Sequence, residues 1–338
     1  MSLLATLSNY FFPPSPSTPT TATLQDLDTV PCRFILDNST SSTLDLPDGR
    51  KIGFAQYGSP TGKPILYQHG FPGSRLEGAH FHDLGRELDL RIIGVDRPGH
   101  GLSSPNRGGS LLDWARDVGV LADKLGLEEY GVMVFSGGGP AALACAYALP
   151  ADKLKVVCLV CGMGPPDIGM KGADWEHWIG WPYVIRFAPY WLGRLFWRSS
   201  AIGRMDLPDS QRVEMFIKEG ANAAESERDI LTDVDFARLA CASSRQAFAQ
   251  GYDYVWDDGK MSGSDFGFKV NDIRKNMPVQ LWYGKNDTSV PLVHGLQIAA
   301  RLGGRAELRV EDEAHAGILL HWKREILGGM AKTMRDDT

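Results

Sequence analysis

Short apolar runs alternate with amphipathic stretches along most of the chain from Ser42 onward. The runs PILYQ, RIIGV, GVMVF, KVVCLV and VQLWY are almost continuously apolar, and glycine or proline follows each within three residues. Such runs predict strands buried on both faces. The intervening stretches 75–88, 111–125 and 293–304 have helical periodicity. The pattern therefore predicts an α/β fold: a mostly parallel, twisted sheet with helices on both faces.

Both ends of this region carry a different pattern. The alternating runs STLDLPDG and RKIGFAQYG are joined by Pro47-Asp48-Gly49, which predicts a β-hairpin. After a last apolar run, AELRV, residues 318–334 predict a single closing helix.

Two segments interrupt the alternation of strands and helices. Residues 13–24 are rich in proline, serine and threonine and cannot supply a packed element. We therefore interpret residues 1–40 as a low-complexity arm, whose Phe11 and Phe12 are candidates for docking on the body. Residues 163–272 lack strand runs, and over a hundred residues are too many for a structureless crossover.

The second interruption predicts a helical cap at 163–272, which leaves 41–162 and 273–338 as the core. Within the cap, the sequence Trp256-Asp257-Asp258-Gly259 predicts a turn that leads back to the sheet. Aromatic residues are concentrated in the first part of the cap: Trp175, Trp178, Trp181, Tyr183, Phe187, Tyr190, Trp191, Phe196 and Trp197.

Composition excludes several classes of partner. The formal net charge is -6, so no broad positive field attracts nucleic acid or anionic membranes. No apolar run approaches the roughly 20 residues of a membrane span. The chain has no Lys or Arg before its proline-rich stretch, which argues against a secretory signal. We expect a cytoplasmic protein whose five cysteines are reduced and mostly buried.

A serine lies where the GVMVF run meets a glycine cluster. In Val134-Phe135-Ser136-Gly137-Gly138 the serine falls between a predicted strand and a predicted helix, where a tight turn would expose its hydroxyl. The segment resembles the Gly-x-Ser-x-Gly nucleophile elbow of the α/β-hydrolase superfamily. The resemblance covers roughly Ser42 to the C-terminus and departs from the family pattern at Val134, where the family has glycine.

A serine hydroxyl is a weak nucleophile and needs a base that a third group orients. The family's order is Ser, then Asp or Glu, then His. Asp287 lies in KNDTSVP directly after VQLWYG, and His315 lies in EDEAHAG directly after AELRV. The resemblance thus implies a catalytic triad of Ser136, His315 and Asp287. His294 and His321 are worse candidates, because neither lies in the loop that follows the last strand: His294 comes just after Val290-Pro291, and His321 lies in the closing helix.

Two further loops resemble family signatures. The sequence HGFPGSR, residues 69–75, is similar to the family's oxyanion loop, which implies that the backbone N–H groups of Phe71 and Gly137 form the oxyanion hole. His69 is then expected to pack beneath this loop, and DRPGHGLS, residues 96–103, is expected to be architectural. Cys158 and Cys161 would point to opposite faces of a strand, so we expect no metal site and no cofactor.

These residues predict a serine hydrolase that cleaves a carboxylic ester, thioester or lactone of a small molecule. The HGFPGSR loop lacks the HGGG run of many lipases and looks more like the branch of proline iminopeptidases and small-molecule esterases. The aromatic cap favours an apolar substrate, with Trp175, Trp178 and Trp181 as candidate contacts.

Other uses of the fold stay open. A serine at the nucleophile position argues against epoxide hydrolases and haloalkane dehalogenases, which place an aspartate there. A small-molecule receptor, a lyase, a biosynthetic cyclase, a C–C bond hydrolase, an aminopeptidase and a cofactor-free haloperoxidase remain compatible with the motifs. An aminopeptidase would need an acid for the substrate amine, and the cap offers Glu176, Glu214, Glu219, Glu225 and Glu227 without marking one of them.

Overall fold

The computed structural model describes residues 31–336, and in this part of the chain eight strands form one sheet. Their spatial order is β1-β2-β4-β3-β5-β6-β7-β8. β2 runs antiparallel to both of its neighbours, and all other neighbouring strands are parallel. The strands are β1 (Ser41–Asp45), β2 (Lys51–Gly58), β3 (Lys63–Gln68), β4 (Leu90–Val95), β5 (Tyr130–Phe135), β6 (Leu154–Val160), β7 (Val279–Gly284) and β8 (Glu307–Glu311).

Helices follow the strands in the order that the sequence pattern predicts, so the α/β fold with a mostly parallel sheet is confirmed. In the core they are α1 (His82–Glu87), α2 (Leu111–Lys124), α3 (Gly139–Ala148), α11 (Val293–Arg301), α12 (His315–His321) and α13 (Lys323–Asp336). Between β6 and β7 lie α4 (Trp175–Ile179), α5 (Ile185–Phe187), α6 (Tyr190–Arg198), α7 (Asp209–Gly220), α8 (Glu225–Leu231), α9 (Val234–Ala247) and α10 (Tyr252–Ser262).

Alternate residues of each central strand are buried on opposite faces of the sheet. In β3, Leu66 packs with α2 and α3, whereas Ile65 and Tyr67 pack with α1 and α13. Strands of this kind require apolar residues at every position, which is why their sequences are continuous runs rather than alternating ones. Burial of each large apolar side chain contributes about 1.5–3 kcal/mol.

The predicted hairpin is confirmed, and the predicted closing helix is wrong in one respect. β1 and β2 pair in register across a turn at Gly49 (φ +85°). The closing region is two helices, α12 and α13, because the chain leaves helical geometry at Trp322 (φ -105°, ψ 10°). The indole of Trp322 lies 6.1 Å from that of Trp282 in β7, a tertiary contact that periodicity along one helix does not reveal.

The described chain from 163 to 272 contains helices but no strand. It has an apolar cluster of its own, which includes Ile185, Trp197, Phe248 and Trp256. Where this unit begins and ends stays a prediction.

The predicted turn at 256–259 is wrong, because these residues lie inside α10. Gly259 permits close approach rather than a turn: a Cβ there would lie 2.8 Å from Cζ of Phe71 in the core. The glycine is therefore a packing residue between the helical segment and the body.

The described end of the N-terminal arm lies against the body. Phe34, Ile35 and Leu36 pack on the core, and Arg33 pairs with Asp233 at 2.8 Å. Phe11 and Phe12 lie outside the described residues.

All five cysteines are free, and all but the half-buried Cys32 are buried. Among residues 31–336, no helix has both the length and the apolar character needed to cross a membrane.

Candidate active site

Ser136 lies on a tight turn between β5 and α3. Its φ of +54° is in the left-handed region, which costs a non-glycine residue energy and persists only where the surroundings enforce it. The surroundings here are backbone: a Cβ at Gly138 would lie 2.9 Å from the carbonyl oxygen of His69, and a Cβ at Gly139 would lie 2.2 Å from that of Met163. Because Gly138 and Gly139 lack side chains, the turn can pack directly against the backbone of His69 and Met163.

Val134 fits this turn although the family pattern has glycine at its position. The residue belongs to β5, is fully buried, and pairs with Gln68 of β3 and Leu159 of β6. The Cβ of Val134 lies 3.3 Å from the point where a Cβ of Gly138 would be. A side chain at position 138 would therefore crowd Val134, and glycine there avoids this.

His315 and Asp287 reach Ser136 from the ends of two other strands. The Nε2 atom of His315, at the start of α12, lies 2.8 Å from the Oγ of Ser136. Its Nδ1 atom lies 2.7 Å from the Oδ2 of Asp287, in the loop after β7. The structure thus brings these three side chains into one hydrogen-bonded chain at a single edge of the sheet.

Asp287 is held in one orientation by its own loop. Its Oδ1 accepts hydrogen bonds from the backbone N–H groups of Ser289 (2.8 Å) and Val290 (2.9 Å). Burial opposes ionisation of this carboxyl, but the charge and hydrogen bond of His315, the N–H of Val290 and the thiol of Cys161 outweigh it and lower its pKa. Oδ2 is thereby left ionised and directed at the imidazole.

The imidazole of His315 experiences opposing influences. Burial disfavours its cation, whereas the charge and hydrogen bond of Asp287 and the charge of Glu227 favour it, and the net effect raises the pKa of His315. The ring packs against that of Phe135 at a centroid distance of 4.7 Å. With its side chain still 16% exposed, His315 remains accessible to a small molecule.

The loop 69–75 has its backbone fixed from below by a buried histidine. The Nε2 of His69 accepts from the N–H of Arg97 (3.2 Å), so its Nδ1 carries the proton and donates to the carbonyl of Gly70 (2.8 Å). Burial lowers the pKa of His69 well below the ordinary value. This neutral histidine supports the loop, and both of its ring nitrogens are engaged with backbone groups rather than with Ser136.

Two backbone N–H groups close to Ser136 bear on the predicted oxyanion hole. Among residues 31–336, the N–H of Phe71 donates to no acceptor. The N–H of Gly137 lies in the first turn of a short 3-10 helix, where no intrahelical acceptor is available. A Cβ on Gly137 would lie 2.6 Å from Cβ and 3.6 Å from N of Phe71, so the two segments are in contact.

Comparison with known proteins identifies the family of the fold. A family model described as the alpha/beta hydrolase fold matches residues 63–321. The chain belongs to the α/β-hydrolase family. A non-heme chloroperoxidase of Streptomyces lividans is 31% identical over 292 residues, which cover 82% of this chain and 93% of that protein.

Other similarities to this α/β-hydrolase are shorter or more distant. A proline iminopeptidase of Xylella fastidiosa is 33% identical over 119 residues, about a third of each protein (34% and 37%). A solved carboxylesterase of the thaumarchaeon Nitrososphaera gargenis superposes with a TM-score of 0.63 over 88% of this chain and all of its own, at 15% identity. At that identity the superposition shows the fold alone.

A buried ion pair joins the loop 69–75 of this α/β-hydrolase to the helical segment. Arg97 donates from Nε to Asp258 in α10 (3.0 Å), and from Nη1 and Nη2 to the carbonyls of His69 (2.5 Å) and Gly70 (2.9 Å). Burial opposes ionisation of Asp258, but the cation of Arg97 and the hydrogen bond of His100 hold its pKa well below the usual range. Sequence reasoning missed Asp258, because it lies 161 positions from its partner and resembles a turn residue.

A second buried carboxyl supports the same loop. Glu77 accepts hydrogen bonds from the N–H of Gly70 (3.0 Å) and the hydroxyl groups of Tyr67 (3.1 Å) and Ser243 (3.2 Å). Burial raises the pKa of Glu77. No motif marks this residue in the sequence, because its partners come from β3, the loop itself and α9.

The three predicted substrate contacts differ in their surroundings. Trp181 packs on Phe71 at a centroid distance of 5.1 Å, and Trp197, which was not predicted, does so at 5.4 Å. Trp175 and Trp178 in α4 are 46% and 50% exposed. Of the three, Trp181 contacts a residue beside Ser136, whereas Trp175 and Trp178 are about half exposed.

One group in the described part of the chain has the atoms for a metal ion. The ligand atoms of Cys161, Asp287 and His315 lie within 4.8 Å of one another. The Oδ2 atom of Asp287 and the Nδ1 atom of His315 are already hydrogen-bonded to each other. Burial raises the pKa of Cys161 well above the ordinary pKa of a cysteine thiol. A protonated thiol, which donates to the backbone carbonyl of His315 at 3.9 Å, fits this group better than a metal ligand.

The remaining candidate bases lie elsewhere. His294 accepts at Nδ1 from the N–H of Gly164 (3.0 Å), and burial lowers its pKa to about 4. His321 lies 3.0 Å from Glu313. Both histidines are therefore engaged with partners other than Ser136.

Proposed function

We propose that the protein is a serine hydrolase that cleaves a carboxylic ester, thioester or lactone of a small apolar molecule through an acyl-enzyme. The observation that carries this proposal is the hydrogen-bonded chain from Ser136 Oγ through both nitrogens of His315 to Asp287, at 2.8 and 2.7 Å. A nucleophile, its base and an orienting carboxylate within these distances suit acyl transfer.

The protonation states follow from the hydrogen bonds. Because Asp287 is ionised and can only accept, the Nδ1 atom of His315 carries the proton. Nε2 therefore presents a lone pair to the hydroxyl of Ser136. As Oγ bonds to the substrate carbonyl carbon, its proton moves to Nε2, and Asp287 stabilises the imidazolium that results.

The later steps use the same groups. The carbonyl oxygen becomes an oxyanion that accepts hydrogen bonds from the N–H groups of Phe71 and Gly137, each such donor being worth about 10²–10³ in rate. The imidazolium of His315 protonates the leaving oxygen or sulfur as its bond to carbon breaks. His315 then takes a proton from water, whose oxygen attacks the acyl group on Ser136. The bond between the acyl carbon and Oγ breaks, Oγ recovers a proton from His315, and a carboxylic acid is released.

The surroundings of Phe71 support an apolar substrate. The ring of Phe71 lies between Trp181, Trp197 and α10, so the proposed oxyanion donor is attached to an aromatic wall. An aromatic wall of this type is typical of a site for apolar small molecules.

The proposal is tested by labelling the folded protein with a fluorescent fluorophosphonate. We expect labelling of the native protein and none of Ser136→Ala, with Ser42→Ala, an exposed serine of β1, as the control that labels normally. Hydrolysis of p-nitrophenyl acetate, butyrate and octanoate then measures the length of the acyl site. A folded native protein that neither labels nor hydrolyses any ester would contradict the proposal.

Peroxide-dependent halogenation is a second candidate, favoured by the similarity to the Streptomyces lividans chloroperoxidase over 93% of that protein's length. Hydrogen peroxide would replace water in attacking the acyl-enzyme and release a peracid. The peracid would oxidise a halide ion to hypohalite and become the carboxylic acid again. Bromination of monochlorodimedone in acetate, bromide and peroxide, lost in Ser136→Ala, would support this activity.

A further inference from the structure

A glutamate of the helical segment reaches the residue next to His315. Glu227, the third residue of α8, is half-buried, and its Oε1 accepts a hydrogen bond from the backbone N–H of Ala316 at 2.6 Å. The two residues are 89 positions apart. The contact therefore joins the segment between β6 and β7 to the loop and helix that carry the proposed base.

This hydrogen bond replaces a missing helix cap. α12 begins at His315, and the residue before it, Ala314, has no side chain that accepts from the first turn. The N–H groups of a first helical turn lack intrahelical partners, and a capping side chain from the flanking residue usually satisfies one of them. Here Glu227 supplies the acceptor from a distant helix, so the backbone position of His315 depends on it.

The charge of Glu227 also acts on the imidazole. The groups that act on His315 are the carboxylates of Asp287, after β7, and of Glu227, in α8; the thiol of Cys161 lies beside Asp287. Asp287 holds the ring directly at Nδ1, whereas Glu227 approaches through the adjacent peptide. Both negative charges favour the protonated imidazole.

We propose that Glu227 is a positioning residue that anchors the start of α12 and, by its charge, stabilises the imidazolium of His315 while Ser136 is attacking. The proposal rests on the proposed serine-hydrolase function. It assigns Glu227 no contact with the substrate. Through Glu227, the helical segment between β6 and β7 would help to position the proposed base.

Two substitutions separate the two roles. Glu227→Gln keeps an oxygen that can accept from Ala316 but removes the charge. Glu227→Ala removes both the acceptor and the charge. Glu225→Gln, in the same helix with an exposed side chain, changes the net charge equally without reaching α12 and is the matched control.

The expected results are distinct for each variant. In Glu227→Gln the acid limb of the fluorophosphonate labelling rate moves to lower pH, because His315 loses a stabilising anion. In Glu227→Ala the labelling rate on the alkaline plateau also falls, by about tenfold, because the imidazole is no longer held in place. Glu225→Gln follows the native profile.

A second readout does not depend on catalysis. The pKa of His315 is measured by NMR titration of ¹³C-labelled histidine, with His315→Asn used for assignment, and thermal unfolding confirms that each variant is folded. We expect a lower pKa in Glu227→Gln than in both the native protein and Glu225→Gln.

The outcomes distinguish this inference from the proposed function. If the native protein labels but Glu227→Gln shows the native pKa and pH profile, the role of Glu227 is refuted and the hydrolase proposal stands. If the native protein does not label but the pKa shift is present, the hydrolase proposal fails and the electrostatic action of Glu227 on His315 is retained. A native plateau rate in folded Glu227→Ala refutes the anchoring role.

Discussion

Replacing Asp287 by asparagine removes one charge and changes almost nothing in shape. The loop decides how the new amide is oriented. Its oxygen has to face the two backbone N–H groups of Ser289 and Val290, which lie 2.8 and 2.9 Å from Oδ1 in the native protein. The NH2 group then faces His315 and donates to Nδ1. This moves the imidazole proton to Nε2, so that the ring can no longer accept the proton of Ser136.

The size of the effect follows from the cost of turning the amide around. The reversed orientation would leave the part-buried N–H of Ser289 and the buried N–H of Val290 facing an NH2 group, at about 1–3 kcal/mol each. Because about 1.4 kcal/mol corresponds to a factor of ten, the productive arrangement is disfavoured by about 30-fold to 10⁴-fold. We expect kcat/KM to fall within this range in Asp287→Asn. Loss of the charge that stabilises the imidazolium acts in the same direction.

The measurement is kcat/KM for p-nitrophenyl butyrate together with the fluorophosphonate labelling rate, for proteins whose thermal unfolding is shown to be cooperative. Asp312→Asn is the control, since Asp312 is an exposed carboxylate in the loop that carries His315. A folded Asp287→Asn protein within threefold of native activity would refute the tautomer argument. An equal loss in Asp312→Asn would show that charge alone, not orientation, is responsible.

Three further results are expected. Activity is lost as the pH falls through the pKa of His315, because only the neutral ring can take the serine proton. Since that pKa is raised from 6.5, the midpoint of the pH profile of kcat/KM lies above 6.5. A midpoint below 6.5 would contradict the reasoning. Asp258→Ala leaves the buried cation of Arg97 without its counter-ion. We therefore expect the free energy of unfolding, measured by urea titration, to fall by about 3–5 kcal/mol. A loss below about 1 kcal/mol would show that water replaces the carboxylate. Gly139→Ala places a Cβ 2.2 Å from a carbonyl oxygen, so we expect it to lower the free energy of unfolding by about 1–3 kcal/mol or more. The control Gly328→Ala has open space in α13 and is expected to raise that free energy by about 0.5–1 kcal/mol. If Gly328→Ala were the less stable of the two variants, the packing argument for the turn at Ser136 would be wrong.

The buried strands of the sheet were predictable because the determinants of such strands are local, whereas the spatial order of the strands was not predicted. A strand buried on both faces needs an unbroken apolar run, and β3, β4, β5, β6 and β7 each have one. The sequence was less informative about helix limits. Periodicity over 318–334 did not show the break at Trp322, because that residue leaves the helix for a contact with another element.

The neighbourhood of Ser136, Asp287 and His315 was also predictable, although their distances were not. Each follows the C-terminal end of a parallel strand, and parallel strands end at the same edge of the sheet. Loops at one edge converge whatever their lengths. The glycines after Ser136 indicated a tight turn, and in the structure they allow backbone contacts shorter than any side chain would permit.

The sequence by itself thus determined the order of the elements, the hairpin and the set of loops that meet at the site. Only the tertiary structure decided which distant side chains support those loops: Asp258 on Arg97, Glu227 on Ala316, and Trp181 with Trp197 on Phe71. Backbone propensity and apolar periodicity act over a few residues and leave a trace in the sequence. A pairing between residues 161 or 89 positions apart depends on how packed layers bring helices over the sheet, and a single glutamate or aspartate on a helix carries no local sign of it.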